Sequence, residues 1–159
     1  MELDISSTEE VRTQLPATDF DADRLTEALA DRLAAIVPDG FHVRAADGVL
    51  WYSAEAGRFP GQLSDYHVGR SGSYIAENLA AHGDTAEERI VGVAAQALDE
   101  LQDFIDEASH DPWPGTQNPP HPFAEVRRQA LHLWYGGPDI TSPAVLACAP
   151  IPLVEIQQA

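Results

Sequence analysis

The chain has 159 residues, of which 26 are acidic and nine basic, giving a net charge of −17; every base is arginine. A surface of that sign repels phosphate backbones and anionic lipid, so it argues against nucleic acid and membrane surfaces and suits a basic polypeptide partner. The single cysteine, Cys148, excludes an internal disulfide and a cysteine-based zinc site, and no stretch approaches the roughly 18 apolar residues of a membrane span.

The N-terminus is acidic and lacks the basic start and apolar run of a signal peptide, and a free thiol fits a reducing compartment; the expectation is a cytoplasmic protein. Residues 1–18 read as a polar, loosely held arm. Residues 19–159 read as one domain, since a chain of this size can bury roughly 70% of its unfolded surface around a single core.

The first element is a helix opened by Asp21 as N-cap, with Leu25, Leu29, Leu33 and Ile36 on one face, and closed by Pro38-Asp39-Gly40. FHVRAADGVLWYS then reads as a β-hairpin. Asp47-Gly48 tolerates the two positive φ angles of a type I′ turn, and a two-residue turn sets Arg44 opposite Trp51 and Val43 opposite Tyr52. Phe41, Val43, Ala45, Leu50 and Tyr52 share the expected core face, and Arg44 and Trp51 share the other, where they can stack. Residues 62–68 suggest a third short strand, and the segment after GRSGS a short helix carrying Ile75 and Leu79.

The strongest helical pattern follows, over residues 85–109. Thr85 and Glu88 match the capping box, and Ile90, Ala94, Ala97, Leu98, Leu101, Phe104, Ile105 and Ala108 form an apolar stripe. Asp99, Glu100, Asp103, Asp106 and Glu107 crowd the later turns, where carboxylates oppose the helix dipole. HDPWPGTQNPPHP, residues 110–122, reads as a stiff connector: Pro112 stops the helix and Trp113 folds back onto the core. Residues 124–137 read as one extended strand, paired in a hairpin with a second at 144–149, and PIPLVEI as a proline-bearing edge strand. The order α-β-β-(β)-α-α-β-β-(β) predicts an α+β two-layer sandwich, with an antiparallel sheet of about five strands in two hairpins and helices on one face. The opposite face would carry Trp51 and one of two alternating sets from residues 131–135, and a second copy of the chain, in a homodimer, is one candidate to cover it.

Chemistry-bearing residues are few. GRSGS misses the G-x-S-x-G elbow, because Gly72 directly follows Ser71. With Arg70, Ser71 and Ser73 ahead of a helix, the segment is a candidate anion site, although an ordinary helix cap explains the serines as well. His110 and His121, with Asp111, can fold together across the proline loop, which would give a pocket for proton transfer or three ligands for a metal. The spacing requires neither, so no metal and no cofactor is expected. His110 also has a plainer role at the end of the long helix, offsetting its dipole. Cys148 sits in an apolar strand, where a thiol is a small buried hydrophobe rather than a nucleophile.

In size, acidity and element order the chain resembles small acidic dimeric chaperones of the type III secretion class, although the final helix usual in such proteins is not read in this sequence. The resemblance implies a dimeric, non-enzymatic protein that binds a polypeptide. The reading is therefore a binding or adaptor module contacting partners through Trp51, Trp113, Asp99, Asp103 and Asp106. The alternative is an anion binder or enzyme using Arg70, Ser71, Ser73, His110 and His121.

Overall fold

The computed structural model describes residues 20–55, 70–81, 83–114, 120–137 and 145–158. The N-terminal arm and the strand expected at 62–68 lie outside them. Helix α1 spans Ala22–Ala34 and is followed by strands β1 (Phe41–Ala46), β2 (Val49–Ala54) and β3 (Arg70–Tyr74). Helices α2 (Ile75–Ala81) and α3 (Ala86–Ser109) come next, then β4 (His121–Arg127), β5 (Ala130–Gly136), β6 (Leu146–Ala147) and β7 (Ile151–Pro152). A single turn, α4 (Leu153–Ile156), closes the series.

The fold is α+β, but its strands form two antiparallel sheets rather than one: β1-β2-β3, and β4-β5-β6 with β7 also on β5. In the first sheet the hairpin register is the expected one, with Val43 opposite Tyr52 and Arg44 opposite Trp51. Asp47 and Gly48 carry φ of 54° and 75°, the geometry of a type I′ turn. Phe41, Val43, Leu50 and Tyr52 are buried, as alternation requires.

The second sheet departs from the expected strand at 124–137. That run folds at Arg128-Gln129 into the β4–β5 hairpin, with φ of 54° and 63° at the two turn residues. Left-handed backbone costs an L-residue of this kind about 1–2 kcal/mol. Seven cross-strand pairs from His121↔Gly136 to Arg127↔Ala130 offset it, and the Gln129 carbonyl is held by the Leu153 amide at 2.9 Å. The C-terminal segment is also broken up. Only Leu146–Ala147 and Ile151–Pro152 pair with β5, and Leu153–Ile156 turns helical instead of extending an edge strand. A proline cannot donate to a ladder, so Pro150 and Pro152 limit the pairing to these short pieces.

Both sheets pack into one core with α1 and α3. Asp21 caps α1 by accepting from the amides of Asp23 and Arg24. Leu25, Leu29 and Leu33 are fully buried, each contributing on the order of 1.5–3 kcal/mol. The capping box of α3 forms as expected: Glu88 N–H donates to Thr85 Oγ1 at 3.1 Å and Thr85 N–H to Glu88 Oε1 at 3.2 Å. Gly83, at φ 64°, lies so close that a Cβ there would sit 2.5 Å from the Glu88 Cβ. Of the apolar stripe on α3, all but Phe104 are buried, and Phe104 is half-buried between the rings of Phe41 and Tyr52.

Candidate functional site

The long helix α3 carries or contacts most of the candidate side chains that the structure describes. On its inner side two tyrosines approach consecutive carbonyls. Tyr52 Oη of the first sheet donates to Ala97 O at 3.2 Å, and Tyr135 Oη of the second donates to Leu98 O at 2.6 Å. Consecutive carbonyls point about 100° apart around a helix, so the two sheets meet α3 from different sides.

Ser73 belongs to this inner layer. Residues 70–74 form strand β3 against β2, not a loop ahead of a helix, so their amides do not converge on an anion. The Ser73 hydroxyl is 1% exposed, 2.6 Å from Tyr52 Oη, and donates to the Glu100 carboxylate. That carboxylate also accepts from Gln96 Nε2 at 3.0 Å. A negative ligand would meet Glu100 here, and Ser73 already has its partners. The side chains of Arg70 and Ser71 lie outside the described part of the structure.

His110 is the C-cap of α3, in the left-handed conformation at φ 61°, with its amide bonded to Asp106 O at 2.8 Å. It lines a shallow depression with Asp106, Glu107, Asp111 and Pro112. His121 opens β4 and instead acts electrostatically on Asp99. Asp99 lies seven residues before Asp106, about 10 Å along the helix axis. The two histidines therefore serve different ends of the acidic run. Among the described residues no group of three His, Cys, Asp or Glu side chains is arranged to hold a metal ion.

Trp113 folds back as expected. Its ring meets Tyr135 edge-on with centroids 5.0 Å apart, and its amide donates to Asp106 Oδ1 at 2.8 Å. The residue that fixes the proline loop is one that the sequence reading overlooked. Gln102, 8% exposed, donates from Nε2 to Trp113 O at 3.0 Å and to Pro120 O at 2.9 Å, clipping both shoulders of the loop to the helix. A signal was present: Gln102 is a polar residue on the buried side of the helix, between Leu98 and Ile105.

The outer side of α3 is acidic. Asp99 and Asp103 are exposed, and Asp106 is half-buried. Spaced four and then three residues apart, the three share one helical line. The last turn holds no basic residue. Partial desolvation, followed by Asp103 and Glu100, raises the Asp99 carboxyl above the usual aspartate range. Asp106 is raised by desolvation and Asp103 despite the opposing bond from the Trp113 amide. Among the described residues no ion pair reaches Asp99, Asp103 or Asp106.

Trp51 lies on the outer face of the first sheet, half-buried over Gly72, its cross-strand partner. Its ring meets Tyr74 edge-on at 6.4 Å, and Tyr74 is 49% exposed. On the second sheet the outward set is His132 and Trp134. Trp134 stacks on Phe123 at 5.9 Å and is already 4% exposed within the chain. Cys148 is buried, with burial raising its thiol to about 12, which leaves no thiolate near neutral pH. Its amide pairs with Leu133 O, whereas His132 turns to Arg127 O, so Cys148 and His132 do not pair.

Among the described residues no helix is long and apolar enough to cross a membrane. Comparison of the chain with protein-family models, with curated proteins and with solved structures finds no match.

Proposed function

We propose that the protein is a non-enzymatic binding module that takes a basic polypeptide along the outer face of α3, through Asp99, Asp103 and Asp106. The observation that carries this reading is the imbalance of charge on that face. Three carboxylates stand in line toward the negative end of a 24-residue helix, and two are raised by crowding and desolvation. Of the three only Asp106 lies in the last turn, where the helix dipole opposes it by roughly 0.3–1 kcal/mol; Asp99 is opposed chiefly by its partial desolvation and by the neighbouring carboxylates. A cationic partner would remove that cost on binding. The net charge of −17 adds long-range steering for the same partner.

Two reactive side chains, Ser73 and Cys148, are engaged in holding the fold, which supports a binding role. Ser73 donates its one hydroxyl proton to Glu100, and Cys148 is a buried thiol. Gln102 and Asp106 hold Trp113 and Pro120 against α3 beside the acidic face.

Calorimetric titration of the full chain with a synthetic arginine-alanine repeat peptide tests the reading. Saturable binding is expected at low salt, weakening as salt rises because exposed charges are screened. Absence of binding at low salt would overturn it.

A further inference from the structure

The C-terminal ribbon is a second surface, different in kind from the acidic one. Residues 140–154 are the longest run in the chain with neither acid nor base. Within it Cys148, Ile151 and Leu153 are buried, while Val145, Ala147, Ala149, Pro150, Pro152 and Val154 are exposed. Val145 at 53% and Val154 at 73% are two of the three large apolar side chains exposed among the described residues.

The ribbon is held in place from several sides. Backbone bonds run from Val145 N to Tyr135 O, Cys148 N to Leu133 O and Leu153 N to Gln129 O, at 2.9, 3.0 and 2.9 Å. Arg32 adds a clamp from α1, donating to Pro150 O at 3.2 Å and to both Glu155 oxygens at 2.8 and 2.9 Å. An apolar strip already ordered in this way loses little entropy when it is covered. Pro150 and Pro152 lack amides, so the edge does not template an added strand. What it offers is side-chain surface.

We infer that the ribbon over residues 145–154 is a self-association seam, covered by the same ribbon of a second copy of the chain. The argument is one of charge. Two chains of net charge −17 repel when they meet through most of their surface. This uncharged strip lets them touch without placing carboxylates face to face. An apolar strip is also self-complementary, as a two-fold interface demands, whereas an acidic face is not. A basic polypeptide would gain no electrostatic attraction from this surface. The inference is independent of the reading of α3, and either can fail alone.

Sedimentation equilibrium of the full chain tests it, with V145D, V154D and, on the other exposed face, Y74D. All three side chains lie outside the buried core, and circular dichroism checks that each variant keeps the fold. The wild type is expected at twice the chain mass of 17.2 kDa, with a dimer that tightens as salt screens the repulsion. V145D and V154D should each weaken dimerisation at least about tenfold, equivalent to ~1.4 kcal/mol, and Y74D should leave it unchanged. A wild type that stays monomeric up to high concentration would overturn the inference. So would a dimer that survives both ribbon variants, or one that Y74D breaks instead. Should V145D lose the fold, V154D, on the more exposed side chain, decides the matter together with the sign of the salt dependence.

Discussion

Tyr52 and Tyr135 come from different sheets and donate to neighbouring carbonyls of the same helix, Ala97 O at 3.2 Å and Leu98 O at 2.6 Å. Each carbonyl has a second lone pair beyond its helical bond, so the tyrosines add bonds without breaking any. Replacing either by phenylalanine keeps the packing and removes one buried donor. Y135F should lose about 1 kcal/mol in urea denaturation. Y52F should lose a similar amount, because Ser73 retains Glu100 as its acceptor. A loss below a few tenths of a kcal/mol for both would show that the hydroxyls do not tie the sheets to the helix.

The same buried groups set the alkaline limit of stability. Burial raises Tyr52 and Tyr135 well above the usual tyrosine range and Cys148 to about 12. A raised folded-state value means that the native chain holds protons that the unfolded chain has lost. Stability is therefore full below pH ~8.5 and falls as pH rises, first through Cys148 and above pH ~10 through the tyrosines. Each fully shifted group steepens the fall by up to ~1.4 kcal/mol per pH unit. Denaturation midpoints measured between pH 8 and pH 11 should decline, and C148A should remove the part that begins near pH 9. A flat profile would contradict the burial of these groups.

Gln102 is expected to govern how Trp113 and Pro120 are held against α3. Q102E removes the donor to Trp113 O and Pro120 O and places a carboxylate beside Asp99, Asp103 and Asp106. It should cost about 2–3 kcal/mol, as expected where buried acceptors lose their partner. Q102M keeps the volume and should cost less. In both variants hydrogen exchange at the Trp113 amide, now bonded to Asp106, should speed up; unchanged protection would mean that the loop is held by other contacts.

Gly72 is needed by the Trp51 ring lying across it. A Cβ at position 72 would fall 2.9 Å from Val49 Cγ1 and 3.0 Å from the Trp51 ring. G72A should destabilise by ~1–3 kcal/mol through overpacking, and W51L in the same chain should recover part of that loss. Thermal unfolding of the single and double variants checks the coupling, and additive losses would refute it.

Much of the scaffold was legible in the sequence where local chemistry acts alone. Asp21 caps α1, Thr85 and Glu88 close the capping box, and Asp47-Gly48 fixes the first hairpin, because each signal is satisfied within a few residues. The Arg128-Gln129 turn was not legible. Neither residue favours left-handed backbone, and the turn exists because strand pairing and the Leu153 amide stabilise it from afar. The separation into two sheets was hidden for a similar reason: which strands pair is settled by contacts between residues far apart in sequence. At the acidic face the residue types and spacing were readable. That no ion pair reaches Asp99, Asp103 or Asp106 among the described residues, and that Ser73, His110 and His121 lie in separate places, depended on the fold.

The most direct test of the central claim compares two variants with equal loss of charge. One carries D99N, D103N and D106N on α3; the other carries D23N, E27Q and D31N on the exposed side of α1. Asparagine at 106 can still accept from the Trp113 amide, so the loop stays clipped. Titrated with the arginine-alanine peptide, the α3 variant should bind at least about tenfold more weakly than wild type, ~1.4 kcal/mol, while the α1 variant loses much less. Equal losses in the two would show that bulk charge alone attracts the peptide, and would contradict a binding face on α3.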